Sequence, residues 1–154
     1  MMNRREAVIR LGAVAGAAVV LPRILEAQAK VAIVVYKDPN CGCCSKWVDH
    51  LQANGFMASV KETTDIEPIK EKYHIGPELR SCHTAVVGGY AIEGHVPASD
   101  IKKLLAAKPK GVVGLTIPGM PASAPGMDGK PFIAYTVLSF DLKGTPTVFA
   151  EHRA

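Results

Sequence analysis

The stretch VAIVVY-KDPN-CGCCSKWVDHL, residues 31–51, predicts a strand, a turn and a helix in direct succession. Residues 31–36 are apolar and mostly β-branched, which is typical of a buried strand. From Cys41 onward the apolar spacing becomes helical, and Gly55 suits the position just after a helix end. The residues on the predicted apolar face are Cys44, Trp47, Val48 and Leu51.

Residues 56–108 extend this unit into an α/β domain. FMASVKE (56–62) predicts a second strand, in which Met57 should belong to the core. A helix capped by Asp65 should run to about Tyr73. TAVVGGYAIEG (84–94) predicts two short strands, and PASDIKKLLAAK (97–108) predicts a helix. Ile101, Leu104 and Leu105 should face inward from that helix. The predicted order is β-α-β-α-β-β-α, which is the thioredoxin-like order of elements.

The C-terminal part of the chain has a different character. GLTIPGMPASAPGMDGKP (114–131) is rich in glycine and proline and predicts a long loop. Loops of this length in compact domains are usually functional or disordered. FIAYTVLSF and TPTVFAEH follow, joined by DLKG, and they predict a closing C-terminal β-hairpin.

The N-terminus reads as an export signal spanning residues 1–29. Arg4 and Arg5 precede an apolar run that is too short to span a bilayer, and Ala27-Gln28-Ala29 resembles a cleavage site. The paired arginines also fit a twin-arginine signal, so both export routes stay open, and a retained anchor is the less favoured alternative. Residues 30–154 then form a single predicted domain, exported to the periplasm and without stable membrane insertion.

Charge argues against a nucleic-acid partner. The leader holds four of the 18 basic residues and two of the 14 acidic ones, so 14 basic and 12 acidic side chains remain in residues 30–154. That part of the chain is close to neutral and has no lysine or arginine block.

Three of the four cysteines lie within four positions, at Cys41, Cys43 and Cys44, while Cys82 is distant. An exported disulfide framework would space its cysteines along the chain, so this distribution indicates a site. Cys41 and Cys44 have the C-x-x-C spacing of a redox pair, and a helix N-terminus favours thiolate. Cys43 would interfere with such a pair, but it would serve a site for a thiophilic metal.

Candidate ligands outside the turn begin with Cys82 and His83, which directly precede the third predicted strand. In a thioredoxin-like fold that segment packs beside the start of the first helix, so both residues should face the cysteine turn. Buried structural roles are the alternatives for them. His95 is a ligand candidate or a surface residue. Met120 and Met127 are either soft copper ligands or apolar contacts of the long loop.

The donor set favours copper. Thiolates select Cu(I), zinc or iron–sulfur clusters. Structural zinc sites usually contain two cysteine knuckles, and iron–sulfur sites need wider cysteine spacing. Four thiols with histidine and methionine in an exported protein therefore predict Cu(I), with zinc less favoured. Adjacent Cys43 and Cys44 project in different directions, so a multinuclear copper site is expected.

Several segments together resemble the CopG-type family of periplasmic copper-resistance proteins, long known as a domain of unknown function. They are YKDPNCGCCSKWVDHL, SCHTAVV, GYAIEGHVP, GLTIPGMPASAPGM and YTVLSFDLKG. The resemblance covers nearly all of residues 30–154. It implies a thioredoxin-like, exported, copper-associated protein with a suggested oxidoreductase role, in which Cys41, Cys43, Cys44 and Cys82 are the metal-binding thiols.

Three functions follow as hypotheses. The first is an exported copper-binding protein for copper tolerance, with Cu(I)/Cu(II) cycling and other periplasmic copper-handling proteins as candidate partners. The second is a thiol–disulfide oxidoreductase acting through Cys41 and Cys44. The third is a zinc-stabilised binding module. Whether the protein is an enzyme is not decided by its sequence.

Overall fold

The computed structural model describes residues 30–154, and the predicted export signal lies outside the described residues. The helices are α1 (Gly42–Ala53), α2 (Glu67–Lys72) and α3 (Ala98–Ala107). The strands are β1 (Val31–Lys37), β2 (Phe56–Glu62), β3 (His83–Val87), β4 (Tyr90–Glu93), β5 (Gly114–Thr116), β6 (Tyr135–Phe140) and β7 (Pro146–His152). Up to α3, the order of elements is the predicted β-α-β-α-β-β-α.

The strands form one mixed sheet in the order β2-β1-β3-β4-β5-β6-β7. β1 is parallel to β2 and antiparallel to β3. Lys37 at the end of β1 lies opposite His83 at the start of β3. β4 pairs antiparallel with β3 and parallel with β5. The predicted C-terminal hairpin is confirmed as β6 and β7, and it extends the sheet beyond β5.

Two apolar clusters cover the two faces of the sheet, because successive strand residues point to opposite sides. Ile92 belongs to the larger cluster, which also contains the buried side chains of α1 and α3. Its neighbour Ala91 belongs to the smaller cluster around Phe140. The predicted apolar face of α1 is confirmed, with Cys44, Trp47, Val48 and Leu51 buried.

Three sequence expectations need correction. The long loop predicted from residue 114 begins with strand β5, whose Gly114 is confined by the Ala91 carbonyl and the Phe140 ring, which leave no room for a Cβ. α2 starts at Glu67, and Asp65 accepts a hydrogen bond from the Glu67 N–H at 3.3 Å from outside the helix. Met57, expected in the core, is 56 % exposed because β2 is an edge strand.

Within residues 30–154, none of the helices has the length and apolar character needed to cross a membrane.

Candidate metal centre

A tight turn places the three clustered cysteines at the N-terminus of α1. The Asn40 N–H donates to Asp38 Oδ1 at 2.7 Å, and the Cys41 N–H donates to the Asp38 carbonyl oxygen at 3.1 Å. Asp is favoured in such turns because its side chain mimics the backbone acceptor. Cys41 therefore occupies the N-cap position, with its side chain free of any capping hydrogen bond.

The three thiols of the turn have different environments. Cys44 is buried on the apolar face of α1, whereas Cys41 and Cys43 are half-buried. Cys41 and Cys44 form a disulfide, and Cys43 stays a free thiol with its Sγ 3.6 Å from Cys41 Sγ. The C-x-x-C spacing is therefore a disulfide pair in this state of the protein, with the intervening Cys43 beside it.

Cys82 faces this turn from just before the neighbouring strand β3. The pairing of Lys37 with His83 places the residue before β3 next to the end of β1, where the turn begins. The Sγ atoms of all four cysteines lie within 4.8 Å of one another. The juxtaposition expected from the predicted topology is confirmed, and the four sulfurs form a group that could hold a metal ion.

Two histidines lie beside Cys82. Cys82 Sγ lies 3.3 Å from His83 Nδ1 and 3.2 Å from His95 Nε2. The His95 Nδ1–H donates to the Pro125 carbonyl oxygen at 2.7 Å, which leaves Nε2 as the nitrogen with a free lone pair. Cys82, His83 and His95 form a second group of potential metal donors within the described residues, sharing Cys82 with the first.

His83 is completely buried between two rings. Its ring centroid lies 4.4 Å from that of Trp47 and 5.0 Å from that of His95. Among the side-chain polar atoms that the structure describes, His83 Nε2 is the buried atom without a hydrogen-bond partner. Trp47 is held in turn by its indole N–H, which donates to the Val96 carbonyl oxygen at 2.9 Å.

Burial sets the protonation states of this group. It raises the pKa of the Cys82 thiol to about 11, and the nearby Cys43 acts in the same direction. Burial also lowers the pKa of His95, and it lowers that of His83 well below its usual range. Both imidazoles are therefore neutral at neutral pH, which is the form that binds metals, while Cys82 has to lose a proton to a metal.

A buried ion pair frames the segment that carries Cys82. Lys70 of α2 pairs with Glu93 of β4, and both side chains are almost inaccessible to solvent. Glu93 accepts the Ser81 N–H and the Thr84 hydroxyl, each at 2.6 Å, and Lys70 Nζ donates to the Ser81 carbonyl oxygen at 3.2 Å. These bonds hold the residues on either side of Cys82 and His83.

The loop between β5 and β6 closes over α1. Gly126 lies against the α1 backbone, where an added Cβ would be 2.8 Å from the backbone nitrogen of Trp47 and 3.0 Å from the Cys43 carbonyl oxygen. Asp128 forms an exposed ion pair with Lys46 at 2.9 Å. Met127 is half-buried and packs against the main apolar cluster, as expected if it is an apolar contact of the long loop. Met120 is 54 % exposed. The ligand roles of both methionines stay predictions.

Sequence reasoning missed the residues that hold the second group of donors. Lys70 and Glu93 were not recognised as partners, and neither was the Pro125 carbonyl oxygen that binds His95. A signal for Glu93 was present, because it ends the otherwise apolar stretch GYAIE of a short strand. A carboxylate at an inward strand position needs a buried partner.

Comparison with known proteins connects this geometry to copper. Two solved structures of a copper resistance protein CopG, Form 1 and Form 2, are 40% and 41% identical to the chain, with TM-scores of 0.75 and 0.74. Form 1 covers 81% of this chain and 99% of its own, and Form 2 covers 80% and 98%. The chain belongs to the CopG family.

The other comparisons are narrower. Residues 79–127 match a protein family of unknown function, DUF411, and this range includes Cys82 and both flanking histidines. The search of curated proteins found no match. Membership of the CopG family and a cysteine group able to hold metal together support a copper-related function.

The donor chemistry fits copper on its own terms. Thiolates are soft ligands that select Cu(I), and imidazole nitrogen also binds copper. Cys41 and Cys44 bind a metal only as thiolates, so their disulfide has to be reduced before all four sulfurs can act together. The arrangement can therefore offer four thiolates in the reduced protein and two thiols with two imidazoles in the oxidised protein.

Proposed function

We propose that this protein is an exported, periplasmic copper-binding protein that contributes to copper tolerance. The observation that carries the proposal is the group of four cysteine Sγ atoms within 4.8 Å of one another, drawn from two distant parts of the chain. Cu(I) is the proposed ion, because four soft thiolates select it over harder cations. The copper resistance proteins that resemble the chain support copper as the metal.

The proposed site holds more than one Cu(I). Cys43 and Cys44 are adjacent residues that project from α1 in different directions, Cys44 buried and Cys43 half-buried, so we do not expect all four sulfurs to bind one ion. A single Cu(I) needs two or three thiolates, and the remaining sulfurs can bridge to a further ion. Reversible Cu(I)/Cu(II) cycling and exchange with other periplasmic copper-handling proteins extend the proposal.

Anaerobic titration of the fully reduced protein with Cu(I) tests the multinuclear site. The thiolate–copper absorption should rise until more than one equivalent has been added, and the fluorescence of Trp47 should change with it. Trp47 is the single tryptophan of the chain, and its ring packs at a tilt against His83 beside the sulfurs. Saturation at one equivalent or less would reject a multinuclear site.

Cys82→Ser tests the role of the distant thiol. The substitution keeps the size of the side chain but removes the soft donor, so the number of Cu(I) ions bound or their affinity should fall. Met57→Leu is the matched control, because it removes a sulfur from the exposed edge strand β2. If Cys82→Ser binds copper like the parent protein, the ligand role of Cys82 is wrong.

A second function is favoured by a specific observation, the Cys41–Cys44 disulfide at the N-terminus of α1. A thiol–disulfide oxidoreductase would use this pair on protein substrates. Metal-free, reduced protein should then reduce insulin far faster than a free dithiol, and Cu(I) should inhibit it. The copper hypothesis expects slow insulin reduction, because Cys43 lies 3.6 Å from Cys41 and offers a competing partner.

A further inference from the structure

We propose that the end of the sheet opposite the cysteines is a docking surface for a bilayer that contains anionic phospholipid. The surface consists of an apolar cleft and four exposed lysines around it, and we call it the basic end. Its lysines are Lys30, Lys102, Lys108 and Lys110. Access to a bilayer rests on the proposed export, whereas the surface itself is formed by residues that take no part in the copper site.

Three parts of the chain meet at the basic end. β1 begins there at Val31, and its seven residues, at about 3.3 Å each, lead to the cysteine turn roughly 20 Å away. The Gly88–Gly89 turn joins β3 to β4 at the same end, because β3 runs antiparallel to β1. α3 ends at Ala107, with Lys108 as its left-handed C-cap. The basic end and the cysteine turn therefore lie at opposite ends of the sheet.

An apolar cleft of about 580 Å³ opens between these parts. Val31, Leu105 and Val112 are among its apolar lining residues, and Lys108 is its charged lining residue. Tyr90 also lines the cleft and is half-buried. Tyrosine is enriched where a bilayer meets water, because its ring is apolar and its hydroxyl group is polar. The cleft therefore has the composition of a surface that contacts the headgroup region.

The lysines are placed around this cleft by the fold. Lys30 directly precedes Val31, and Lys110 lines the adjoining cleft, which shares Val112 with the first. Lys102 Nζ lies 5.9 Å from the centroid of the Phe56 ring, and Phe56 is the strand partner of Val31. None of the four lysines is in an ion pair within the described part of the chain.

Acidic side chains contribute little at the basic end. Asp141 is the acidic residue among those that line the two clefts in residues 30–154. Its carboxylate accepts the N–H groups of Lys143 and Thr145, each at 2.9 Å, so it is bound by its own turn. The four lysines therefore give the basic end a net positive charge next to apolar surface.

This combination matches a bilayer better than an acidic protein. Apolar side chains are favoured at the boundary between headgroups and acyl chains, while ammonium groups are attracted to anionic phosphates. Clusters of about four or more basic residues beside a membrane segment are typical of this recognition, and each one strengthens binding about fivefold. An acidic protein would account for the lysines but not for the apolar cleft with Tyr90. The protein then lies on the bilayer without crossing it.

The path of the chain gives the same orientation. The proposed export signal, residues 1–29, joins the fold at Lys30, directly before Val31 in the lining of the cleft. Until it is cleaved, an export signal keeps the residues that follow it close to the bilayer. Docking through the basic end preserves this orientation in the mature protein. The cysteine turn then faces the aqueous side, where soluble partners have access to it.

Sedimentation with lipid vesicles tests the surface, using metal-free mature protein purified after export. The protein should bind vesicles of phosphatidylglycerol and phosphatidylethanolamine roughly 100-fold more strongly than vesicles of phosphatidylcholine alone. Raising the salt from about 0.1 M to about 1 M shortens the Debye length from about 10 Å to about 3 Å, so this binding should weaken. Equal binding to both kinds of vesicle, or binding to neither, would overturn the proposal.

The variant Lys30→Gln/Lys108→Asn/Lys110→Gln tests the location of the surface. Asn is chosen at position 108 because it tolerates the positive φ of 44° there. The variant should bind anionic vesicles roughly 100-fold more weakly than the parent, about fivefold for each lysine. All three lysines are exposed, so the fold should be retained. Undiminished binding would show that the basic end is not the docking surface.

The matched control is Lys46→Gln/Lys61→Gln/Lys72→Gln. It removes the same charge from exposed positions elsewhere on the surface. Charges farther from the bilayer than about 10 Å are largely screened, so the control should bind anionic vesicles nearly as well as the parent. Equal losses in the two triple variants would mean that binding follows net charge alone, and the basic end would be wrong.

Tyr90→Trp tests whether the cleft itself enters the headgroup region. The substitution keeps an aromatic ring at this position, and its emission should shift to shorter wavelength when anionic vesicles are added. The parent protein is the control, because its single tryptophan, Trp47, is fully buried and should show no shift. Binding without a shift in Tyr90→Trp would show that the lysines recognise charge alone, as an acidic protein surface offers, and would overturn the assignment to a bilayer.

Copper binding, measured separately on the same preparations, keeps this proposal distinct from the proposed function. If metal-free protein binds anionic vesicles but reduced protein takes up no Cu(I), the docking surface stands and the copper function fails. If Cu(I) binds but no vesicles do, the copper function stands and the docking surface fails. The lysine variant of the basic end should bind Cu(I) like the parent, because its substitutions lie at the end of the sheet opposite the cysteines.

Discussion

The two sides of the metal centre are built in different ways. The turn side takes three cysteines from four consecutive positions, delivered by one turn and the first residues of α1. The other side takes Cys82, His83 and His95 from two strand ends and holds them with contacts from α2 and the β5–β6 loop. The turn side is a property of local sequence, whereas the other side exists only in the assembled fold.

This difference has consequences for stability and for redox state. The thiols of the turn are half-exposed except for Cys44, and two of them, Cys41 and Cys44, are joined as a disulfide. The histidine side is almost fully buried and depends on the Lys70–Glu93 pair. Substitutions in the supporting residues should therefore damage the histidine side first and leave the chemistry of the turn largely intact.

The largest effect is expected from breaking the buried ion pair. Glu93→Gln or Lys70→Met alone leaves the partner charge buried without a counter-ion, which costs about 3–5 kcal/mol. Urea unfolding should show this loss of stability. Alkylation of the metal-free protein should show the asymmetry between the two sides. Cys82 should react faster in either single variant than in the parent, while the reaction rate of Cys43 should be unchanged.

The double variant Lys70→Met/Glu93→Gln is the internal check on that prediction. It removes both charges, and the Gln side chain can still accept the Ser81 N–H on its oxygen while its amide N–H donates to the Thr84 hydroxyl oxygen. Its loss of stability should be smaller than that of either single variant. Lys46→Gln, in the exposed pair with Asp128, should change stability little. Additive losses in the double variant would show that the pair is not coupled.

An intermediate effect is expected at the contact between the loop and α1. Gly126 has φ +85°, and a Cβ there would meet the Trp47 nitrogen at 2.8 Å, a backbone atom that cannot move aside easily. Gly126→Ala should cost about 1–3 kcal/mol and displace the loop that binds His95 through Pro125. Thermal unfolding and copper affinity should fall together.

Gly119→Ala is the matched control for that substitution. Gly119 belongs to the same loop and has a similar φ of +71°, but no atom lies within 4 Å of an added Cβ. It carries the backbone strain without the steric contact, so copper affinity should stay close to that of the parent. Equal losses of affinity in both variants would mean that the loop contact with α1 does not position His95.

The same contrast explains what the sequence could predict. The apolar spacing of α1, the β-branched run of β1 and the cysteine spacing are local patterns, and all three correspond to the structure. The approach of Cys82 to the turn followed from the order of elements, because a predicted topology brings strand ends together. The family resemblance added that these thiols belong together.

What could not be predicted depends on contacts between distant residues. β5 has three residues and no strand pattern, and it forms because β4 offers an edge on which Gly114 fits. The tautomer of His95 is set by a carbonyl oxygen thirty residues away, which leaves no trace in side-chain identity. Lys70 looks like a surface residue of a short helix, and only the position of Glu93 makes it a buried partner.

The smallest effect is expected at the link between the helix of the turn side and the start of α3. His50 of α1 accepts the Ala98 N–H on Nε2 at 3.1 Å, and burial lowers the pKa of His50 below its usual value. The folded protein therefore prefers the neutral ring. As pH falls below about 6.5, the unfolded chain takes up the proton first, and the free energy of unfolding declines toward the lower pKa of the folded state.

His50→Gln keeps an acceptor for Ala98 but cannot titrate, so its free energy of unfolding should fall less between pH 7 and pH 5 than that of the parent. Urea unfolding at several pH values measures the difference, with His74→Asn as the control that should follow the parent curve. A parallel decline in parent and His50→Gln would show that His50 makes no contribution to the acid sensitivity of the fold.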